Sequence, residues 1–568
     1  MEKNIEITEE RKRVSWLTSL IVICLFVVVA KPMGDYIYNV FQQKGPFQKI
    51  FGPLEKFLFK IADIKGYSQS WKRYLFCLII TNLFFILVVY SIFRLQGMLP
   101  LNPNHFPGME PTLAFHTAIT FMTNANLQHY GGESNLSNFS QMVGVTFMMF
   151  AAPATSMAIG ITFIRVLAGK RIGNFFVDFV QSIIRVLLPI SFVASLIFLA
   201  LGTPQTLDST IIAKTLEGTE QVIPRGPVAS LLAIKELGDN GGGFFGTVSA
   251  HPFENPNMIS NVLQMMLQML IPMAFPFVYG RMIGNRKQGR LFFVSMFILF
   301  IVGFQALSIS ELKGNPPLNQ LGIEHSQGNM EGKEMRLGVI SSALYATVTS
   351  ASGTGGVNTT HDTLTPIGGM VPLVNMLLGT VFGGIGVGFM NVIMYAMIAV
   401  FLAGLMVGRS PEFLNKKLEG KEMKLIAITI VSQPLLILGA AAIAFSTHFG
   451  TDAISNAGFH GLTQVIYEYT SSAMNNGSGF EGLNDNTPFW NISTGLVMYI
   501  GRYFSIITML AVAVGLKKKK IVPETIGTLQ TDNRLFGGIL LGTIFIVGAL
   551  TFLPVLVLGP IAEFLTIL

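Results

Sequence analysis

Charge is scarce in this sequence. Only 12% of its 568 residues are Asp, Glu, Lys or Arg, about half the share of a typical soluble domain. A solvated globular surface over most of the chain is therefore excluded. There are two cysteines, Cys24 and Cys77, each inside an apolar run. They read as small packing residues, and neither a disulfide framework nor a thiolate metal cluster is available. No GxxxxGK[ST] loop and no DKTG motif occurs. That removes the lysine-bearing phosphate cradle and the phosphorylated aspartate of P-type pumps. HExxH and Cys/His groupings are missing too, so His116, His129, His251 and His361 receive no metal-centre role. The net charge is +7, but the basic residues are placed as membrane-topology signals and not as a nucleic-acid patch.

In place of charge there are long apolar runs. The chain is 51% hydrophobic with a mean hydropathy of +0.56. Runs near 20 residues recur, each about long enough to cross a ~30 Å hydrocarbon core. Their continuity excludes the alternating pattern of a transmembrane barrel. The expected fold is an all-α polytopic membrane protein with spans at 16–38, 74–95, 141–164, 183–203, 258–280, 291–310, 371–408, 425–447, 488–515 and 535–558. The run 371–408 would make a helix of roughly 57 Å, which suits two spans or one interrupted span.

Lysine and arginine placement decides between them. The connections at 39–73, 165–185, 281–290, 409–424 and 515–534 hold 25 of the 38 basic residues, whereas the polar stretches at 96–140, 204–257, 312–370 and 448–487 hold six. Basic loops stay on the cytoplasmic side. Two full spans in 371–408 would put Arg409, Lys416, Lys417, Lys421 and Lys424 on the wrong face, so one interrupted span is expected, ten in all, with both termini outside. Lys3, Arg11, Lys12 and Arg13 in the N-terminal tail favour the opposite side, and the later loops overrule them. The basic segments 409–424 and Lys517 to Lys520 read as anchors near anionic lipid. No basic connection is longer than 39–73, too short for a nucleotide domain.

The four outer stretches resemble one another. Each has a short helical run, a Gly- or Asn-rich turn, and a polar return into a span: PTLAFHTAITFMTNANLQHYGGE, ASLLAIKELGDNGGGFFG, SSALYATVTSASGTGGVNTTHDT and VIYEYTSSAMNNGSGFEGL. Their turns align on Asn126, Gly241, Gly355 and Gly477, a near-constant period that marks internal repetition. Helices of about 11–14 residues reach only ~16–21 Å, so they enter the membrane and return. Irregular backbone at that depth survives only inside protein or beside a watery cavity. Four such segments around one axis make that cavity. Their carbonyls can replace the water around a cation, with the negative ends of the short helices aimed at it. A cation filter of the potassium-channel kind follows.

These residues resemble the potassium-binding subunits of bacterial Kdp-type potassium-transporting ATPases. The matching stretches are TNANLQ (123–128), NGGGFFG with SAHPFENPN (240–257), GTGGVNTTHD (353–362), VFGGIGVG (381–388), GLMVGRSPEFLNKK (404–417) and NNGSGFEGL (475–483). The resemblance implies four span–pore helix–filter–span repeats in pseudo-fourfold arrangement, with K+ as the transported ion and the filter facing outward from the bacterial inner membrane. It also implies a separate P-type ATPase subunit that supplies ATP-derived energy, and small accessory membrane subunits. Carried over by position, the filter comprises Thr123, Asn124, Asn126 and Gln128 in repeat one, and Asn240, Gly241, Gly242 and Gly243 in repeat two. Repeat three contributes Thr354, Gly355 and Gly356, and repeat four Asn475, Asn476, Gly477 and Ser478. This chain has NANLQ where the family often reads NTNWQ, so a threonine hydroxyl and a tryptophan ring are absent from loop one. The expected organisation is an N-terminal span and loop (1–73), repeats at 74–166, 167–282 and 283–408, a basic loop with repeat four (409–515), and a basic loop with the last span (516–568).

Two intramembrane features remain. Arg502 lies midway along 488–515, where an arginine costs at least ~2.5–3.5 kcal/mol; it is expected as a positive charge in an inner cavity below the filter, opposing straight passage of cations. Gly383, Gly384, Gly386 and Gly388 interrupt a would-be helix at about 1 kcal/mol each against alanine, and are expected as a hinge or gate. Asp239, Glu254, Asp362, Glu468, Glu481 and Asp485 are expected on the outer face as cation-concentrating charge, and Phe244 and Phe245 as wedges behind loop two. Three functions stay open: the potassium-selecting subunit of an ATP-driven complex, a self-sufficient potassium channel or ion-coupled transporter on the same repeats, and an intramembrane enzyme, for which no paired nucleophile and base is present.

Overall fold

A computed structural model describes residues 2–43, 48–64, 66–208, 210–321, 327–408, 410–523 and 528–567. Arg409 lies outside the described residues, and so do the side chains of Lys3 and Arg11. Among the described residues nine helices are long and apolar enough to cross a membrane, and a bent pair, Met258–Leu270 with Pro272–Met282, makes a tenth. The spans are, in order, Lys12–Phe41, Trp71–Met98, Ser140–Leu167, Phe175–Ala200, the bent pair, Arg286–Leu318, the interrupted seventh span, Gly420–Phe445, Pro488–Lys517 and Arg534–Ile567. The fold is that of an all-α polytopic membrane protein. The bend of 41° in span five falls at Pro272, which lacks the amide that would continue the helix.

The interrupted span is two helices, Pro366–Leu378 and Val387–Met406. Between them the chain passes through positive φ at Gly379, Phe382, Gly383, Gly384 and Gly386, a sequence of turns no helix can contain. Four short helices lie between spans as expected: pore helix one, Pro111–Thr123; two, Val228–Leu237; three, Gly338–Ser352; four, Phe459–Met474. Glu110 caps the first by accepting from the Leu113 amide at 2.8 Å. Pore helices one, three and four end on a left-handed residue, Asn124, Gly353 or Asn475, the usual stop for a helix whose chain must turn away.

Each pore helix packs between its two flanking spans, and the span that follows it also touches the next pore helix. Thus span three meets pore helix two, span five meets three, span seven meets four, and span nine returns to pore helix one. The cycle closes the repeats around one axis. Span three is 89% buried within the protein, while spans one and eight are 22% buried, so span three is interior and spans one and eight lie at the outside of the bundle. Cys24 is exposed on span one and Cys77 partly so on span two.

The connections separate into two faces. On the basic-loop face, Gln69 N donates to Gly173 O (2.7 Å), Lys517 Nζ to Lys170 O (2.6 Å), Lys519 Nζ to Lys417 O (3.0 Å) and Gln288 Nε2 to Thr531 Oγ1 (2.7 Å). All five basic connections are therefore neighbours. On the other face Gly246 N donates to Glu133 Oε2 (2.8 Å), Arg336 to Asn255 O, and Asp362 N to Glu481 Oε2 (3.2 Å), joining the four outer stretches. One element was not anticipated: a helix at Gln48–Ile61 in the first basic connection exposes Ile50, Leu54, Phe57 and Ile61 while Glu55 pairs with Arg185 below it.

Spans five and six cross at bare backbone. A Cβ on Gly289 would lie 2.5 Å from Pro276 O and 2.9 Å from Gly280 Cα, and small residues are what allow such close helix contacts in membranes. Gly289→Ala is expected to lower the thermal midpoint of the detergent-purified protein. Gly439→Ala, in span eight with nothing within 4 Å, should hold or raise it, with a stability gain of up to about 1 kcal/mol. Equal midpoints for the two variants would contradict this packing.

Candidate functional site

After each pore helix the chain alternates handedness. Positive φ occurs at Asn124 and Asn126, Asp239 and Gly241, Gly353 and Gly355, and Asn475 and Gly477, with an ordinary residue between each pair. Alternation of this kind turns successive carbonyls toward one side of a loop. Residues that tolerate positive φ are needed twice per loop, and each such position is Gly, Asn or Asp.

The four loops close into a ring. A Cβ on Gly241 would lie 2.0 Å from Thr354 O, one on Gly355 2.2 Å from Asn476 O, and one on Gly477 1.8 Å from Ala125 O. A Cβ on Gly242 would lie 2.6 Å from Asn126 O, completing the circuit from loop one back to loop two. At Asn126, where the other loops have glycine, the side chain fits and donates to Asn240 Oδ1 at 3.2 Å.

Side chains join adjacent loops. Asn124 Nδ2 donates to Gly238 O (3.1 Å) and Asp239 O (2.8 Å), Thr354 Oγ1 to Asp239 Oδ1 (3.0 Å), and Asn476 Nδ2 to Thr349 O (3.1 Å). Gln128 exchanges two hydrogen bonds with the Gly243 backbone, at 3.2 and 2.9 Å. Asn240 donates to Met149 O and Ile234 O, Asn475 to Met498 O, and Ser478 to Asn476 Oδ1. Thr123 stands apart: its hydroxyl donates to Ile119 O in its own helix (2.9 Å). In contrast, among the described residues no hydrogen bond reaches the carbonyls of Ala125, Asn126, Gly241, Thr354, Gly355, Asn476 or Gly477. Buried carbonyls are rarely left without a donor, so this ring of oxygens is available to a cation. The NANLQ departure is absorbed by packing, since Ala125 and Leu127 are buried and the Leu127 amide donates to Thr120 Oγ1 (2.8 Å).

Beneath the ring is a cavity with about 50 Å³ open to water, room for a few water molecules. Gly353, Asn475 and Asn476 form its roof, and Gly379, Gly383, Gly388 and Arg502 line it. Arg502 donates to Ser156 Oγ and has no carboxylate partner among the described residues. The break in span seven sits directly under loop three: Gly383 N donates to Ala351 O at 2.7 Å, and a Cβ on Gly384 would lie 3.2 Å from Ser352 O. Gly386 abuts Gly160 of span three, and a Cβ on Gly388 would collide with Gly383 O at 1.7 Å.

The outer acids divide. Asp362, Glu481 and Asp485 reach the surface, whereas Asp239, Glu254 and Glu468 are buried, which corrects the expectation of six cation-concentrating charges. Glu254 pairs with Lys235, which also meets Glu236 at 3.3 Å, all three fully buried. Glu254 Oε1 accepts from the Phe245 amide (3.1 Å), so this buried group braces loop two from behind. Phe244 and Phe245 are buried there, and Phe245 stacks on His251 at 3.6 Å. Asp362 accepts from Gln464 Nε2 (2.8 Å) and faces His460 Nε2 (3.1 Å). Burial works against its charge, but these partners hold its carboxyl below the usual carboxylate range.

Four re-entrant helices, a closed carbonyl ring and ten spans define a membrane transport protein of the four-pore-loop class. The sequence model of the family "Potassium-transporting ATPase A subunit" (KdpA) matches residues 20–565, nearly the whole chain. The chain belongs to that family, and potassium transport is its function. Among solved structures it is similar to the potassium transporter TrkH from Vibrio parahaemolyticus, with a TM-score of 0.52 and 14% identity over 88% of this chain and 96% of that one. At that identity the likeness concerns the fold.

The ring geometry yields a contrast within one loop. Gly477→Ala places a Cβ 1.8 Å from a carbonyl at positive φ, whereas a Cβ on Gly479 meets nothing nearer than 3.5 Å. Gly477→Ala is expected to weaken apparent potassium affinity roughly tenfold or more, the equivalent of about 1.4 kcal/mol, and Gly479→Ala to leave it near wild type. Rubidium-binding titrations of both variants decide; matched affinities would refute the assignment.

Proposed function

We propose that the chain selects potassium from the outer side of the bacterial cytoplasmic membrane and passes it into an ATP-driven uptake complex. The supporting observation is the closed ring of carbonyls that accept no hydrogen bond among the described residues. In this reading Asn126, Gly241, Gly355 and Gly477 centre the filter, flanked by Asn124, Asn240, Gly242, Gly243, Thr354, Gly356, Asn475, Asn476 and Ser478. The donor-free oxygens of Ala125, Asn126, Gly241, Thr354, Gly355, Asn476 and Gly477 replace the ion's hydration shell, and Gln128 braces the mouth. Thr123 contributes as the last residue of its pore helix and not through its hydroxyl. The four pore helices direct their negative ends toward the cavity, which lowers the cost of holding a partly dehydrated cation there.

Arg502 then acts as a charge barrier. At an effective dielectric of about 20, a unit charge about 8 Å from a passing cation opposes it by about 2 kcal/mol. The glycines at 383, 384, 386 and 388 form a gate under the filter, through which ions leave sideways toward a partner. A P-type ATPase subunit, with small accessory membrane subunits, supplies the ATP chemistry. The pore-loop face, and both termini, lie outside.

The competing reading is a self-sufficient channel or ion-coupled transporter, which the likeness to TrkH in fold keeps in view. Rubidium flux into vesicles separates the two. The purified chain alone should give no sustained uptake, and robust uptake without ATP or partners would overturn the complex-subunit reading. Arg502→Ala should raise ATP-independent leak roughly thirtyfold, the equivalent of about 2 kcal/mol; no rise would assign Arg502 a structural role only.

A further inference from the structure

His129 comes from the first outer stretch and Glu468 and Asp485 from the fourth, yet one donor atom from each lies within 4.8 Å of the others. His129 Nε2 is 3.2 Å from Glu468 Oε1 and 3.8 Å from Asp485 Oδ2. Donor atoms on a tetrahedral zinc ion, bonded at about 2.0–2.1 Å, stand roughly 3.3–3.5 Å apart. We propose that these three side chains form a binding site for a divalent transition-metal ion of the zinc class, joining the first and fourth repeats beside the filter.

A directional hydrogen-bond relay prepares the histidine. Thr112 Oγ1 donates to Glu110 Oε2 at 2.6 Å, so it accepts from Asn491 Nδ2 at 3.2 Å. That orientation leaves Asn491 Oδ1 as the acceptor for His129 Nδ1–H at 2.8 Å. The Nε2 lone pair is then aimed at two carboxylates. Metal-bound histidines are held in the same way, by an acceptor on the other ring nitrogen. Stacking on His116, at 3.7 Å between ring centroids, fixes the ring plane.

A second observation points to a missing partner. Glu468 Oε2 is buried and accepts no hydrogen bond, in a residue that is 1% exposed. A proton on Nε2 balances one carboxylate, whereas a divalent ion balances both. Asp485 is partly open to solvent, with 24% of its side chain exposed, which provides an approach route and a place for a water ligand. One nitrogen and two carboxylates suit zinc-class ions, while calcium and magnesium ask for six or more oxygens. The ion would tie the residue after Gln128 to pore helix four, across the seam between loops four and one.

The test is zinc titration of the chelator-treated full chain in detergent, followed by calorimetry and thermal midpoint. One zinc per chain is expected, with a raised midpoint and no competition from calcium or magnesium. His129→Gln and Asp485→Asn should each weaken binding at least about tenfold. Asn491→Leu, a positioning change that touches no metal, should cost about 10- to 100-fold. X-ray absorption on the wild-type chain should show one imidazole with oxygen ligands, a readout independent of whether any variant folds. Absence of zinc binding, wild-type affinity in Asp485→Asn, equal competition by calcium, or two or more imidazoles in the spectrum would each overturn the proposal.

Discussion

The structure depends on backbone carbonyls that are buried and left without donors. Such groups are costly in a protein interior, and they persist here because the ring over-determines their positions. Three loop glycines lie so close to the next loop's carbonyl that even a methyl group is excluded. The ring therefore cannot relax by sliding one loop past another. Oxygens without donors are the chemistry that a partly dehydrated cation needs, and the chain belongs to a potassium-transporting family.

The surrounding side chains serve the same end. Asn124, Asn476, Thr354 and Gln128 direct their polar atoms to neighbouring loops, so they hold the ring together without occupying its free oxygens. Behind loop two the fully buried Lys235–Glu254 pair accepts the Phe245 amide. A buried ion pair contributes little net stability, but removing one partner is severe. Its placement suits the rigid positioning of a loop whose three consecutive glycines, Gly241 to Gly243, bring no side chains of their own.

Much of this was legible in the sequence because bare backbone leaves a mark. Positions that need positive φ appear as Gly or Asn at near-constant spacing, and a helix too short to span is visible from its length. The break in span seven followed from charge arithmetic together with four glycines. What could not be read were the partnerships. Glu254 and Glu468 look like any solvated acids in a polar stretch, and nothing local reveals that Lys235 will be buried against the first or His129 brought to the second from a distant part of the chain. Thr123 stands in the filter stretch by position, and its hydroxyl bonds back to its own turn, as a threonine at a helix end can. The amphipathic helix at 48–61 was hidden inside a connection valued only for its lysines.

The four repeats are alike in path and unlike in chemistry, and the difference follows from what each must join. Loop one carries asparagine where the others carry glycine, and only there is a side chain accommodated at the inner position. It donates to Asn240, adding a stitch between loops one and two. Repeat three differs at the opposite end. Its following span is broken, and the break contacts pore helix three through Gly383 and span three through Gly386. Rigid identity would favour a symmetrical pore open straight along the axis. The observed asymmetry places a glycine-rich break and one arginine in the same small cavity, beneath a ring that the loop contacts hold closed on all four sides.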